Sequence, residues 1–171
     1  MKKLVVAVVV MFFAGSVVAQ QKIGHVNSQK LLDTLPSRKA AIEQLKAFES
    51  NGVQELKEME ADFQKQVSIY EKARPTMSPV IIKIEEEKLM KKQQALEERQ
   101  QSLNTEMQAV SQDLNKPILE RVQKAVEVVS DRKKLSYVID ESVTLYFKGG
   151  TDITAEVVIE LLRMDAEAMK K

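Results

Sequence analysis

The chain has 171 residues, a formal net charge of +1, one histidine and no cysteine. Without cysteine there is no disulfide, no thiolate zinc site and no cysteine nucleophile, and we expect neither a metal site nor a cofactor. The near-zero charge excludes nucleic acid as a bulk electrostatic partner.

Residues 1–19 are predicted to form a cleavable export signal. Lys2 and Lys3 precede an apolar stretch, residues 4–14, that is too short to span a bilayer, and small residues lead up to Ala19. The alternative is a retained membrane anchor, which the polar run at 20–22 disfavours. Cleavage leaves 24 of the 26 basic side chains against 25 acidic ones. We therefore expect an exported, near-neutral chain with at most peripheral membrane contact.

The mature chain begins with a predicted short strand followed by a short helix. Ile23 and Val26 stand among polar neighbours, which favours a strand. Asn27 is a good N-cap residue for a helix that runs through Leu35. Pro36 interrupts this helix, and a much longer helical pattern follows.

The longest feature is a predicted antiparallel helical hairpin, the arm, over residues 38–130. Two charged helical segments are broken once, between Arg74 and Pro79, where two prolines remove backbone donors and turn the chain. The apolar spacing of the first segment fits a heptad coiled-coil seam. Its apolar positions are Ile42, Leu45, Leu56, Met59, Phe63 and Tyr70.

The apolar seam of the second segment is thin near the turn and thicker toward its end. Apolar residues seven apart are Ile82, Leu89, Leu96, Leu103 and Val110. Their polar companion positions near the turn are Glu86, Gln93 and Gln100. The thicker part of the seam comprises Val110, Leu114, Ile118, Val122, Val126 and Val129. Well-buried helices carry about three apolar residues per heptad, so the outer arm is predicted to be loosely held.

Three residues are candidate hinges of the arm: Pro36, Gly52 and Pro117. Pro36 lies 41 residues before Met77 at the turn, and Pro117 lies 40 residues after it. An antiparallel pair would place both prolines at one height, the junction of arm and body; two unrelated kinks are the alternative. Glycine inside a helix costs about 1 kcal/mol relative to alanine, so Gly52 marks either a flexible point or a tolerated weak spot.

The composition after residue 134 shifts toward β-branched and aromatic residues. Residues 135–140 and 143–148 are predicted to form two strands of a β-hairpin. Thr151 or Asp152 is then predicted to cap a last helix. The apolar face of that helix comprises Ile153, Val157, Val158, Leu161 and Leu162.

Residues 20–37 and 131–171 are predicted to form a small body at the base of the arm. A body of this size buries little surface and leaves open strand edges. Association of identical chains would close the sheet and enlarge the core together. We therefore predict an obligate homo-oligomer of the α+β class, mostly α. The expected oligomer contacts are Ile23, Val26, Tyr137, Ile139, Leu145 and Phe147.

No group of residues in the sequence is typical of a catalytic site. His25, the only histidine, falls in a predicted strand and is expected to be structural. Asp140 and Glu141 are adjacent at a strand end, where side chains diverge, so a role in a turn is expected. We predict a binding protein and not an enzyme. The expected partner-binding residues on the arm are Met77, Ile81 and Met90.

The order of these elements resembles the Skp/OmpH family of periplasmic chaperones. The segments that carry the resemblance are Ile23-Gly24-His25-Val26-Asn27, Tyr137-Val138-Ile139-Asp140 and Asp152-Ile153-Thr154-Ala155-Glu156-Val157-Val158. The resemblance implies a periplasmic homotrimer in which a small β-barrel body carries three arms around a cavity. It also implies that the cavity holds unfolded outer-membrane proteins without ATP. Well-known members are markedly basic, whereas this chain is near neutral.

We therefore expect a periplasmic holdase that prevents the aggregation of unfolded outer-membrane proteins during their biogenesis. The alternative is a structural coiled-coil spacer or adaptor in the cell envelope. A dense, uninterrupted seam would favour the spacer, whereas the thin outer seam and Gly52 favour the holdase.

Overall fold

The computed structural model describes residues 22–170, so the predicted export signal at residues 1–19 lies outside it. The described residues form three short strands and four α-helices. In chain order these are β1 (Ile23–Val26), α1 (Ser28–Thr34), α2 (Pro36–Ala73), α3 (Pro79–Lys133), β2 (Tyr137–Asp140), β3 (Thr151–Asp152) and α4 (Thr154–Ala168). Among residues 22–170, no helix is both long and apolar enough to cross a membrane.

Helices α2 and α3 form the predicted arm, and a short 3₁₀ turn at Arg74–Thr76 reverses the chain between them. Ser78 begins α3 because its Oγ accepts a hydrogen bond from the N–H of Ile81 at 3.4 Å. Pro79 follows at the start of the helix, where its missing N–H costs nothing. The prediction that the prolines mark the turn is confirmed.

Ion pairs between α2 and α3 fix the register of the arm. Glu55 and Arg99 lie 2.9 Å apart, and each is 22 residues from Met77. Asp62 and Lys92 form a second pair, each 15 residues from Met77. Residues at equal distances from the turn therefore face each other.

The two helices also meet at the base of the arm. Pro36 is the first residue of α2, and Pro117 lies inside α3. Arg121 Nη2, four residues after Pro117, donates a hydrogen bond of 3.0 Å to Ser37 Oγ. Ser37 lies 40 residues from Met77 and Arg121 lies 44, so equal counts hold there to about one helical turn.

The sheet is parallel, and this overturns the predicted β-hairpin. Strand β1 is central, with β2 on one side and β3 on the other. His25 lies opposite Ile139 of β2 and Asp152 of β3, and both pairings are parallel. Parallel neighbours require crossover connections, here the whole arm between β1 and β2. A two-stranded hairpin within residues 135–148 is therefore wrong.

The predicted second strand, residues 143–148, lies outside the sheet. Asp140 ends β2 by accepting a hydrogen bond from the N–H of Ser142 at 3.0 Å, and its carbonyl accepts the Thr144 hydroxyl at 2.8 Å. These bonds fold Glu141–Val143 into a 3₁₀ turn. The residues that follow carry strand-forming side chains but pair with no strand among the described residues.

The body core lies where the base of the arm meets the sheet, α1 and α4. Its buried members are Val26, Leu31, Leu35, Ala41, Ile118, Ala125, Val129, Ile153, Val157 and Leu161. Four of them come from α2 and α3, so the arm is rooted in the same core that supports the sheet. Burying each of the larger side chains stabilises the folded chain by about 1.5–3 kcal/mol relative to leaving it exposed to water.

A buried carboxylate on α4 caps the arm. Asp165 is 1% exposed, and its Oδ2 accepts the N–H of Ser37 at 3.1 Å. Its Oδ1 lies 3.1 Å from Arg121 Nη2 on α3. Leu35, at the N-cap of α2, offers no side-chain acceptor, so Asp165 supplies the negative charge favoured at a helix N-terminus. One side chain therefore joins α2, α3 and α4.

Candidate functional site

The outer arm has no fully buried side chain between residues 53 and 102. Its seam residues, such as Leu56, Phe63 and Leu96, are half-buried, and a shallow groove runs between the helices beside them. Along α3, buried side chains appear only toward the base, first at Leu103 and then at Ile118, Ala125 and Val129. The predicted gradient along the arm is thus present in its burial.

Gly52 packs tightly against Leu103 within the arm. Both residues are buried, and a Cβ atom added to Gly52 would lie 2.3 Å from Leu103 Cδ1 and 3.1 Å from its Cγ. The leucine side chain therefore occupies the space that any larger residue at position 52 would need. This packing is a reason for glycine that the hinge interpretation did not consider.

The ion pairs across the outer arm are exposed to solvent. Hydrogen bonding to Lys92 lowers the pKa of Asp62, and hydrogen bonding to Glu55 raises the pKa of Arg99. Asp62 and Arg99 are therefore held in their charged forms. Exposed pairs contribute little stability because water screens them, so they set the register of the two helices without clamping them together.

Two of the three predicted partner-binding residues do not lie together. Ile81 and Met90 are nine residues apart on α3, which at 100° per residue places them about 180° apart around the helix. Met77 is half-buried in the turn. Ile81 and Met90 are exposed, but they lie on opposite flanks of α3 and do not form one continuous surface.

A contiguous apolar surface does exist near the turn, and we call it the tip patch: Val80, Ile81 and Ile84. Val80 is 68% exposed and Ile84 42%. Spacings of three and four residues bring the three side chains to one side of α3, whereas Ile82 turns toward the seam and is half-buried. Sequence reasoning missed Val80 and Ile84, although four β-branched residues within five positions exceed what one seam can bury.

The predicted oligomer contacts divide into two groups in the body. Val26 is buried in the chain's own core, contrary to the expectation that it is available for a partner. The other five are exposed to solvent within the described chain: Ile23, Tyr137, Ile139, Leu145 and Phe147. Leu145 is the extreme case, since its side chain is completely exposed.

A polar cluster lies beside the ends of the strands. His25 Nδ1 is 2.7 Å from Glu141 Oε1, and the side-chain amide of Asn27 donates to Glu141 Oε2 at 3.0 Å. Donor atoms of His25, Glu141 and Asp152 all lie within 4.8 Å of one another. The His25 ring also packs against Phe147, with ring centroids 4.8 Å apart. Sequence reasoning treated these residues separately, because only the parallel sheet brings them together.

Asp152 is an ionised member of this cluster. Hydrogen bonds from Thr154 are the main reason that the pKa of Asp152 lies below its usual value. The backbone N–H of Thr154 donates one of them to Asp152 Oδ1, at 2.8 Å. The charge of Lys30 lowers the pKa of Asp152 further. The N-cap of α4 is Ile153, not Thr151 or Asp152 as predicted, but Asp152, one residue earlier, accepts the first N–H of the helix from Thr154.

Known proteins resemble this chain over most of its length. Residues 22–161 match the family described as Outer membrane protein (OmpH-like). A protein named Chaperone protein Skp from Photorhabdus luminescens is 29% identical over 161 residues, covering 92% of this chain and 98% of that protein. Its namesake from Pectobacterium atrosepticum is 27% identical over 145 residues, covering 85% and 88%.

A solved structure has the same fold. It is a crystal structure of a candidate outer membrane chaperone (OmpH-like) from Caulobacter crescentus CB15. The two structures superpose with a TM-score of 0.73 over 85% of each chain, at 18% sequence identity. At this identity the likeness concerns the fold alone.

Proposed function

The chain belongs to the OmpH-like family of outer membrane proteins, and we propose that it is an ATP-independent holdase chaperone of the periplasm. Its clients are unfolded outer-membrane proteins, which it keeps from aggregating before they insert. Relatives named Chaperone protein Skp, similar over most of their length, support this proposal.

The observation that carries the proposal is the loose outer arm. Half-buried seam residues and exposed ion pairs let the two helices adjust to clients of different shape. The tip patch adds apolar side chains that can cover those of a client. Many weak contacts of this kind add up to retention while each remains easy to break. A rigid spacer would need a denser seam than residues 53–102 provide.

The segment Val143–Lys148 supports assembly into a homotrimer through the body. It carries strand-forming residues that pair with no strand among residues 22–170, and Leu145 and Tyr146 are exposed to solvent. Apolar side chains on an unpaired extended segment favour pairing with another chain. The number of chains, three, rests on the family resemblance. In such an assembly the arms project together and enclose the client.

The holdase activity is tested by diluting a denatured β-barrel membrane protein into buffer with and without the mature chain. Light scattering follows aggregation of the client. Suppression at stoichiometric excess of the assembled protein is expected. Equally rapid aggregation in both samples would refute the proposal.

The tip patch is tested with the triple variant Val80→Gln, Ile81→Gln, Ile84→Gln. Glutamine keeps the helix favourable while it removes the apolar surface, and we expect client binding to weaken about tenfold. The measurement is a fluorescence titration with a labelled client kept soluble in urea until mixing. Ile159→Gln, a change of an exposed residue on α4, is the matched control and should bind as the wild type does. Equal affinity of the triple variant would exclude the tip patch.

The role of Val143–Lys148 in assembly is tested with Leu145→Asp. A carboxylate placed in an apolar contact between chains must lose its hydration, so we expect the variant to sediment as a monomer at concentrations where the wild type is a trimer. Ile159→Asp, equally charged but on α4, should leave the trimer intact. A wild-type chain that sediments as a stable monomer would contradict the shared body, and a trimeric Leu145→Asp variant would exclude this segment from the contact.

A further inference from the structure

One imidazole and two carboxylates converge beside the ends of the three parallel strands, and no role described so far accounts for their arrangement. We propose that His25, Glu141 and Asp152 bind a divalent transition-metal ion of the Zn²⁺ type. This site is independent of the arm, and it is distinct from the chaperone activity.

The donor set fits such an ion in type and in charge. Imidazole nitrogen together with carboxylate oxygen suits zinc and its neighbours among the transition metals, whereas Ca²⁺ and Mg²⁺ prefer oxygen ligands alone. Two carboxylates and a neutral imidazole bring a charge of −2 to the site, which balances a divalent cation. The three ligands leave a fourth tetrahedral position for water, and exposed Asp152 leaves that side open to solvent.

The backbone holds the three residues in place. His25 is opposite Asp152 in the pairing of β1 with β3, and its carbonyl accepts the N–H of Ile153 at 3.0 Å. Glu141 directly follows Asp140, which lies opposite Val26 at the end of β2. The sheet therefore fixes the spacing of His25 and Asp152, and the 3₁₀ turn that follows β2 places Glu141 beside them. Only side-chain rotation is needed to adjust them.

The distances lie close to those that coordination requires. Donors about 2.1 Å from a tetrahedral ion are about 3.4 Å from each other. Here the closest pair, His25 Nδ1 and Glu141 Oε1, is separated by 2.7 Å, and all three donors lie within 4.8 Å. The ion would replace the His25–Glu141 hydrogen bond and draw the Asp152 carboxylate inward.

Each carboxylate is already oriented by a second hydrogen bond. Asn27 holds Glu141 Oε2, and the N–H of Thr154 holds Asp152 Oδ1. One oxygen of each carboxylate is therefore positioned by the protein while the other remains for the ion, which is the usual outer-shell arrangement of metal sites. The charge of Lys30 near Asp152 opposes a cation, so we expect micromolar affinity.

The test is a calorimetric titration of metal-free mature protein, without a histidine tag, with ZnCl₂. We expect one ion per chain with a Kd below about 50 µM, and a rise in thermal unfolding temperature at saturating Zn²⁺ because the ion binds only the folded chain. MgCl₂ at the same concentrations should give neither effect.

Substitutions locate the site. Asp152→Asn retains an oxygen for the Thr154 N–H but removes the charge, and His25→Gln removes the imidazole; each should weaken Zn²⁺ binding at least tenfold. Asp113→Asn, an exposed carboxylate on α3, should leave the affinity unchanged. Circular dichroism checks that each variant is folded. Absence of saturable binding to the wild type would overturn the proposal, as would unchanged affinity in folded Asp152→Asn.

Discussion

Replacing Asp165 by alanine is expected to lower the free energy of unfolding by about 3 kcal/mol. The change removes one partner of a buried ion pair, for which losses of about 3–5 kcal/mol are typical, and it also uncaps α2 at Ser37. We expect the lower end of that range because the Arg121 side chain is 19% exposed and keeps part of its hydration. Urea unfolding followed by circular dichroism at a fixed chain concentration measures the loss.

Two further variants separate the ion pair from the cap. Asp165→Leu combined with Arg121→Met replaces both charges by apolar side chains, and such exchanges are often neutral. The double variant should therefore lose only about 1 kcal/mol, the cost of the missing cap. Glu167→Ala, two residues further along α4, breaks an exposed pair with Arg163 and should not shift the unfolding midpoint measurably. A loss below about 1 kcal/mol in Asp165→Ala would show that the buried pair contributes nothing.

The substitution Gly52→Ala is expected to destabilise the arm, although alanine is the better helix former. In an open helix the change would gain about 1 kcal/mol. Here the added Cβ overlaps Leu103 Cδ1 and crowds its Cγ, and relief of such overpacking costs about 1–3 kcal/mol. We expect a net loss of about 1 kcal/mol, measured by urea unfolding of the whole chain.

A double-mutant cycle makes the sign of this effect decisive. In a Leu103→Ala background the space beside position 52 is empty, so Gly52→Ala should there raise stability by about 1 kcal/mol. Ala47→Gly, at an exposed position of the same helix, gives the backbone contribution alone and should lose about the same amount. Stabilisation of the wild-type chain by Gly52→Ala would mean that Leu103 moves aside freely, and the packing explanation would fail.

The arm could be predicted from the sequence because its signals are local. Prolines at the turn, heptad spacing and equal residue counts to Pro36 and Pro117 all lie within one continuous stretch. The weak burial of the outer seam followed from polar Gln93 and Gln100 for the same reason. The tip patch could also have been predicted from the sequence, since residues 80–84 include more apolar side chains than one seam can bury.

The body could not be predicted in the same way because its contacts join distant parts of the chain. Residues 143–148 have strong strand propensity, yet propensity does not say which strand is the partner. Strand β1 takes β2 and β3 as parallel neighbours, and no local signal indicates this choice. The cluster around His25 depends on the same pairing and was missed with it.

The role of Asp165 could be predicted only in part from the sequence. It lies four residues after Leu161, on the apolar face of α4, and a charge at such a position signals a buried partner. The sequence offered that signal but not the partner. Arg121 lies 44 residues earlier in the chain, and only the packed arm brings it to Asp165.

The central position of β1 also determines the order in which the molecule can be completed. This strand precedes the arm in the chain, yet its contact from His25 to Glu141 spans 116 residues, and β3 and α4 come later still. A chain that emerges N-terminus first can form the arm helices by local contacts, whereas its body must wait for the last 20 or so residues. A chain that is cut before β3 and α4 therefore has the arm helices but lacks the part of the core that holds their base. The three-stranded sheet therefore depends on segments from both ends of the described chain, and it can be completed only after β3 has been made.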